Sequence, residues 1–250
     1  LPMVLNTELY SVTLARFVMV ALPVGFAALI GGFITSSLRL ELAIGGLLIL
    51  SIGLYAYNLL RTWLRSGHSG NAASDHLLLA TFFLVLMMMM GVLVGANFLP
   101  EPPALPFGSL HLVGYTHMAL IGFILQTVFG VLSYGIPEIL ATDRTTSRKK
   151  QEPYREQLAA IMDRWRAVQL TGLSFGTMGF GVLATMTWSV SLSSLSIQIA
   201  TWVTLCLLLS SLTIFTGKLA WVLGASPSGT VVSLPNKTTK ESTDAIDPAA

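Results

Sequence analysis

The chain has 250 residues, of which 53% are hydrophobic and 10% charged, with a formal net charge of +2. Such a composition excludes an ordinary soluble domain, and so small a net charge provides no field that would gather nucleic acid. The single cysteine, Cys206, excludes an internal disulfide, a Cys-Xaa-Xaa-Cys metal site and covalent c-type haem attachment.

Six apolar runs reach the roughly 20 residues that a bilayer core requires. They cover 11–34, 43–64, 76–99, 111–138, 165–190 and 197–223. The expected fold is an all-α polytopic membrane bundle over 1–225, followed by a disordered polar tail over 226–250 whose Ser, Thr, Pro, Lys and Asp cannot bury themselves. Met3 reads as a start. The first run lacks a basic leader and a small-residue cleavage site, so it reads as a retained span rather than a signal peptide.

The connections differ in kind. Ser36 to Leu42 is tight, Arg65 to Asp75 is polar, and Pro100 to Leu110 carries Pro100, Pro102, Pro103 and Pro106, which set a stiff extended crossing. The longest, Ala141 to Arg164, is the most charged. Within it Leu158, Ile161, Met162 and Trp165 fall at helical spacing, which predicts a helix lying along the membrane surface or a solvated helical loop. Six spans place the termini and the second and fourth connections on one side. Of 14 basic residues only Arg39 falls on the other, so the positive-inside rule puts both termini in the cytoplasm. His111 and His117 then lie near the outer face, and His68 and His76 near the inner one.

An ionisable or ligating side chain in an apolar span is a functional candidate by default. His117 stands about two turns into the fourth span, with Ile121, Ile124 and Val128 following on nearly one face. Its imidazole could ligate iron beside a flat macrocycle; the alternative is a ring satisfied by backbone carbonyls of a neighbouring helix. His111 is displaced from it by about 9 Å and turned by about 120°, so the two cannot easily share one iron. His111 reads as an interfacial residue, with a second ligand site as the lesser reading. His76 follows Ser74 and Asp75, which resemble an N-cap, and reads as an exposed first-turn residue. The run Met87 to Met90 reads as core or lipid contact. Gly172, Gly176 and Gly179, with Gly91 and Gly95, read as packing faces for close helix approach. No Asp or Glu lies near the middle of a span, and Gln126, Gln169 and Asn97 are the main polar groups at middle to shallow depth, which counts against coupled transport.

The third and fourth spans resemble the first two helices of the haem-copper oxidase catalytic subunit, in particular its nitric oxide reductase and cbb3-type branches. The likeness covers roughly 76–185. It is carried by Asn97-Phe-Leu-Pro100, Leu105-Pro-Phe-Gly-Ser109, Tyr115-Thr-His117, Ile121-Gly-Phe123, Phe129-Gly130, Tyr134 and Ile136-Pro-Glu138, with Trp165, Gln169 and Gly172 resembling the start of the next helix. The resemblance implies that His117 is an axial ligand of a haem b, with Gly122, Phe123 and Gly130 beside the cofactor. No later helix supplies the histidines of a copper and high-spin haem site, so no copper is expected, and the second axial ligand must come from elsewhere.

The resulting expectation is a haem b subunit of a respiratory complex in a bacterial or archaeal cytoplasmic membrane. It would pass electrons between an outer-face donor, a cytochrome c domain or an oxidoreductase module, and a quinone or terminal acceptor. It would have no active site of its own. A second reading is a cofactor-free structural or assembly subunit that docks other membrane subunits. A third is a small-molecule sensor or transporter, which the lack of buried acidic groups disfavours.

Overall fold

A computed structural model describes residues 2–5, 7–67, 70–100, 102, 108–187 and 189–227, and among them every regular element is helical. Six helical segments are long and apolar enough to cross a bilayer, which makes this an integral membrane protein. His68, most of the proline-rich crossing and the tail from 228 onward lie outside the described residues.

The short α1 (Pro2–Leu5) precedes α2 (Val12–Ile34), whose N-terminus is capped by Ser11 accepting a hydrogen bond from the Leu14 N–H. A tight turn through Ser36, held at φ 52°, leads to α3 (Leu38–Ser66). This helix starts before the expected 43 because the turn occupies so few residues. It ends at Gly67, whose φ of 62° favours a residue without Cβ. α4 (Ala72–Asn97) also starts earlier than expected: Asn71 and Ser74 form a reciprocal capping box, so Ser74 is the third helical residue rather than the cap.

The fourth span is one continuous rod. α5 (Gly108–His117) runs into a π-helical stretch (Met118–Leu125) and then α6 (Gln126–Arg144). It extends six residues past the expected 138, and the Arg144 guanidinium at its end donates to the carbonyls of Leu223 and Ala225. α7 (Arg148–Asp163) follows, then α8 (Arg166–Met186) and α9 (Leu195–Gly224).

α2 packs on α3, α3 on α4, α4 on the long fourth rod, and α8 lies between that rod and α9. α7 closes one end by resting against α6 and α9. Its stripe Tyr154, Leu158 and Met162 is buried in a cluster with Phe129, Leu173, Phe215 and Val222. The stripe therefore faces protein rather than the membrane surface, while Trp165, outside the helix, is 60% exposed. Among the described residues α7 is the one long helix outside the spans, so these burials stabilise it in the ordinary hydrophobic way, at about 1.5–3 kcal/mol each.

Within the spans, close approach replaces hydrophobic driving force. A methyl group added at Gly176 would lie 2.6 Å from Leu208, and one at Gly179 2.6 Å from the Thr204 hydroxyl; Gly172 abuts Ser211. Gly91 meets Tyr115 and Gly95 meets Leu42. These glycines are packing faces, as the sequence indicated.

Candidate functional site

His117 closes α5 at its junction with the π stretch. Its ring is partly exposed, and Nδ1 lies 2.8 Å from the Val113 carbonyl oxygen four residues earlier. A carbonyl only accepts, so in the neutral ring Nδ1 carries the proton and Nε2 keeps its lone pair. Phe180 of α8 covers one face of the imidazole, with ring centroids 4.2 Å apart. The ring is thus oriented by its own helix and steadied by the next.

The π stretch determines what lies beside it. In an α-helix of about 3.6 residues per turn, each fourth residue drifts round the axis by about 40°. The wider turns of the π stretch absorb that drift. Gly114, Met118, Gly122, Gln126 and Gly130, four residues apart, therefore all remain buried. Leu120, Ile124 and Val128 form the matching outward row, at 56%, 49% and 43% exposure. Ile121 leaves the expected face and packs against the core instead, because that expectation assumed an uninterrupted α-helix. Gly122 and Gly130 sit against α4: a methyl group at Gly122 would lie 2.6 Å from the Phe83 ring, and one at Gly130 2.8 Å from Leu77. Phe123 is partly buried. His111 is turned into the protein at 5% exposure, and its Nδ1 has no partner among the described residues.

A second polar centre lies deeper along the rod, and the sequence reading missed it. His76 is 1% exposed, not a solvent-facing first-turn residue, because the helix begins at Ala72 and His76 falls in its second turn facing α6 and α8. Its Nδ1 is 2.6 Å from Gln126 Oε1, and its Nε2 is 3.3 Å from Gln169 Nε2. Lys218 Nζ, buried at 4% exposure, donates to Gln169 Oε1 at 2.6 Å and to the Met162 carbonyl at 2.9 Å. Because Gln169 uses its oxygen on Lys218, its amide nitrogen donates to His76 Nε2. His76 Nδ1–H then donates to Gln126, whose amide reaches the Ser174 hydroxyl at 3.4 Å. One neutral tautomer of His76 satisfies the whole chain. Primary amides do not give up their protons at physiological pH, so this is a hydrogen-bonded brace across α4, α6, α8 and α9 rather than a proton relay. Lys218 is accordingly removed from the set of helix-end topological charges. The available signal was that Gln126, Gln169 and Lys218 interrupt apolar runs, and polar groups at membrane depth pair with one another.

At the α7 end of the bundle, a cavity of about 470 Å³ is lined by Leu5, Ala73, Tyr134, Arg155, Glu156 and Asp163, among others, and His117 is not among its walls. No group of three or more His, Cys, Asp or Glu side chains among the described residues is placed to hold a metal ion. His117 nevertheless suits a haem iron, since its Nδ1 is committed to the Val113 carbonyl and Nε2 keeps its lone pair. No family model matches this chain, and neither a curated protein nor a solved structure matches it.

Proposed function

We propose that the protein is a haem b-binding subunit of a membrane electron-transfer complex, in which His117 Nε2 would hold the haem iron and a partner subunit would complete the site. The observation that supports this most is the 2.8 Å contact from Nδ1 to the Val113 carbonyl. It fixes the tautomer, aims the ring and makes Nε2 a better donor to iron. When bound, a haem supplies one-electron chemistry at its iron. The chain's own part is to hold the ring against Phe180 of α8.

Electrons would pass between an outer-face cytochrome c or oxidoreductase module and a quinone or terminal acceptor, in a bacterial or archaeal cytoplasmic membrane. A cofactor-free scaffold subunit is the second reading, and it is favoured by the packing role of Gly122 and Gly130 against α4.

The test is a reduced-minus-oxidised spectrum with pyridine haemochrome quantitation on the native complex, compared with His117→Ala. The b-type signal should fall by one haem per chain while the complex stays assembled. An unchanged signal would sink the haem reading and leave the scaffold.

A further inference from the structure

The chain entering α2 is fastened to α3 by an unusually specific clamp. The Ser11 N–H donates to Asn58 Oδ1 at 2.9 Å, Asn58 Nδ2 donates back to the Ser11 carbonyl at 2.9 Å, and the Tyr10 N–H donates to Thr62 Oγ1 at 3.0 Å. Asn58 and Thr62, one turn apart on α3, are 3% and 1% exposed. The clamp leaves the Tyr10 ring no choice of place. Tyr57 meets it edge-on at 5.9 Å, and the guanidiniums of Arg61 and Arg65 lie 5.2 and 4.2 Å from its centroid. The hydrogen bond with Tyr57 and the Arg61 charge hold the Tyr10 hydroxyl below the usual phenol range.

Two like charges one helical turn apart are thus gathered on one ring, although like-charge pairs at this spacing repel. The ion pairs found among the described residues involve Arg155 and Arg166 only, so no carboxylate among them neutralises Arg61 or Arg65. Glu8, two residues before Tyr10, is exposed and forms none of these pairs. Arg61 Nε is also out of solvent without a hydrogen-bond partner. Both arginines stand in the last turns of α3, at the end of its membrane span. Guanidinium forks match phosphate oxygens, and basic clusters at the ends of spans attract anionic headgroups.

We propose that Tyr10, Arg61 and Arg65 form a binding site for the phosphate of an anionic glycerophospholipid at the bilayer edge. The missing counter-charge comes from the lipid, and the acyl chains continue along the apolar faces of α2 and α3. The site is independent of whether His117 binds haem.

Native mass spectrometry of the full chain, released from micelles containing phosphatidylglycerol or phosphatidylcholine, tests it. Phosphatidylglycerol adducts should survive where phosphatidylcholine adducts do not. Arg61→Gln/Arg65→Gln should weaken them about thirtyfold, two basic contacts' worth, and Arg39→Gln at the opposite end of α3 should leave them unchanged. Should the double variant lose its helical circular dichroism, Tyr10→Leu decides, since it keeps both charges and removes only their platform; it should also weaken the adducts. Equal retention of the two lipids, adducts that persist in these variants, or displacement by millimolar inorganic phosphate would overturn the assignment.

Discussion

At the scale of single residues, the sequence exposed His117 but concealed Lys218. A histidine in an apolar run is conspicuous, whereas a lysine near the end of a long hydrophobic helix looks like a topological charge. Only the packing of α8 against α9 shows that Lys218 turns inward to Gln169 and the Met162 carbonyl. That arrangement has an energetic signature. Gln169→Leu takes one of two acceptors from a buried cation and should destabilise the protein by about 1.5–3 kcal/mol, the range of a hydrogen bond to a charged group. Lys218→Met removes the charge itself and should cost less, about 1 kcal/mol for the acceptors left without a donor. In the double variant the buried cation is gone, so the losses should be markedly less than additive. Thermal unfolding in detergent checks this, and strictly additive shifts would mean that the two side chains do not act together.

Among the elements, helix existence was legible and helix phase was not. The six spans were found because their length and apolarity are set by the bilayer, but a π stretch leaves composition unchanged and alters only which residues face inward. Its trace was the four-residue interval of Gly114, Met118, Gly122, Gln126 and Gly130, too wide for a plain α-helical stripe. α7 was anticipated as amphipathic, and its partner was missed because the sequence does not state whether lipid or protein covers an apolar stripe. The same rod provides a paired prediction. Gly122 faces Phe83, which is fully buried and has nowhere to move, so Gly122→Ala should cost about 1–3 kcal/mol through overpacking. Gly135, with nothing within 4 Å of an added methyl group, should gain about 0.5–1 kcal/mol as alanine from reduced backbone freedom. Melting temperatures that move in the same direction for both would contradict the close packing of α4 on the π stretch.

For the molecule as a whole, function turns on which side of the membrane His117 faces. With Lys218 buried, the remaining basic side chains among the described residues still gather at the end of the bundle that carries α7, Arg61 and Arg65, while Arg39 sits at the other end. On the positive-inside rule α7 would lie in the cytoplasm and His117 in the outer half, the orientation we propose. Single cysteines in a Cys206→Ser background test this, because Ser147 before α7 and Ser191 before α9 are both exposed and lie at opposite ends of the bundle. In spheroplasts, an impermeant maleimide should label Ser191→Cys at once and Ser147→Cys only after permeabilisation. The reverse pattern would move His117 to the cytoplasmic half, so that an outer-face cytochrome c could no longer be its direct donor. It would also place the Tyr10, Arg61 and Arg65 cluster in the outer leaflet, where the attraction of the cytoplasmic surface for basic side chains is absent. The sidedness of the donor and that of the lipid site thus stand or fall on one labelling pattern.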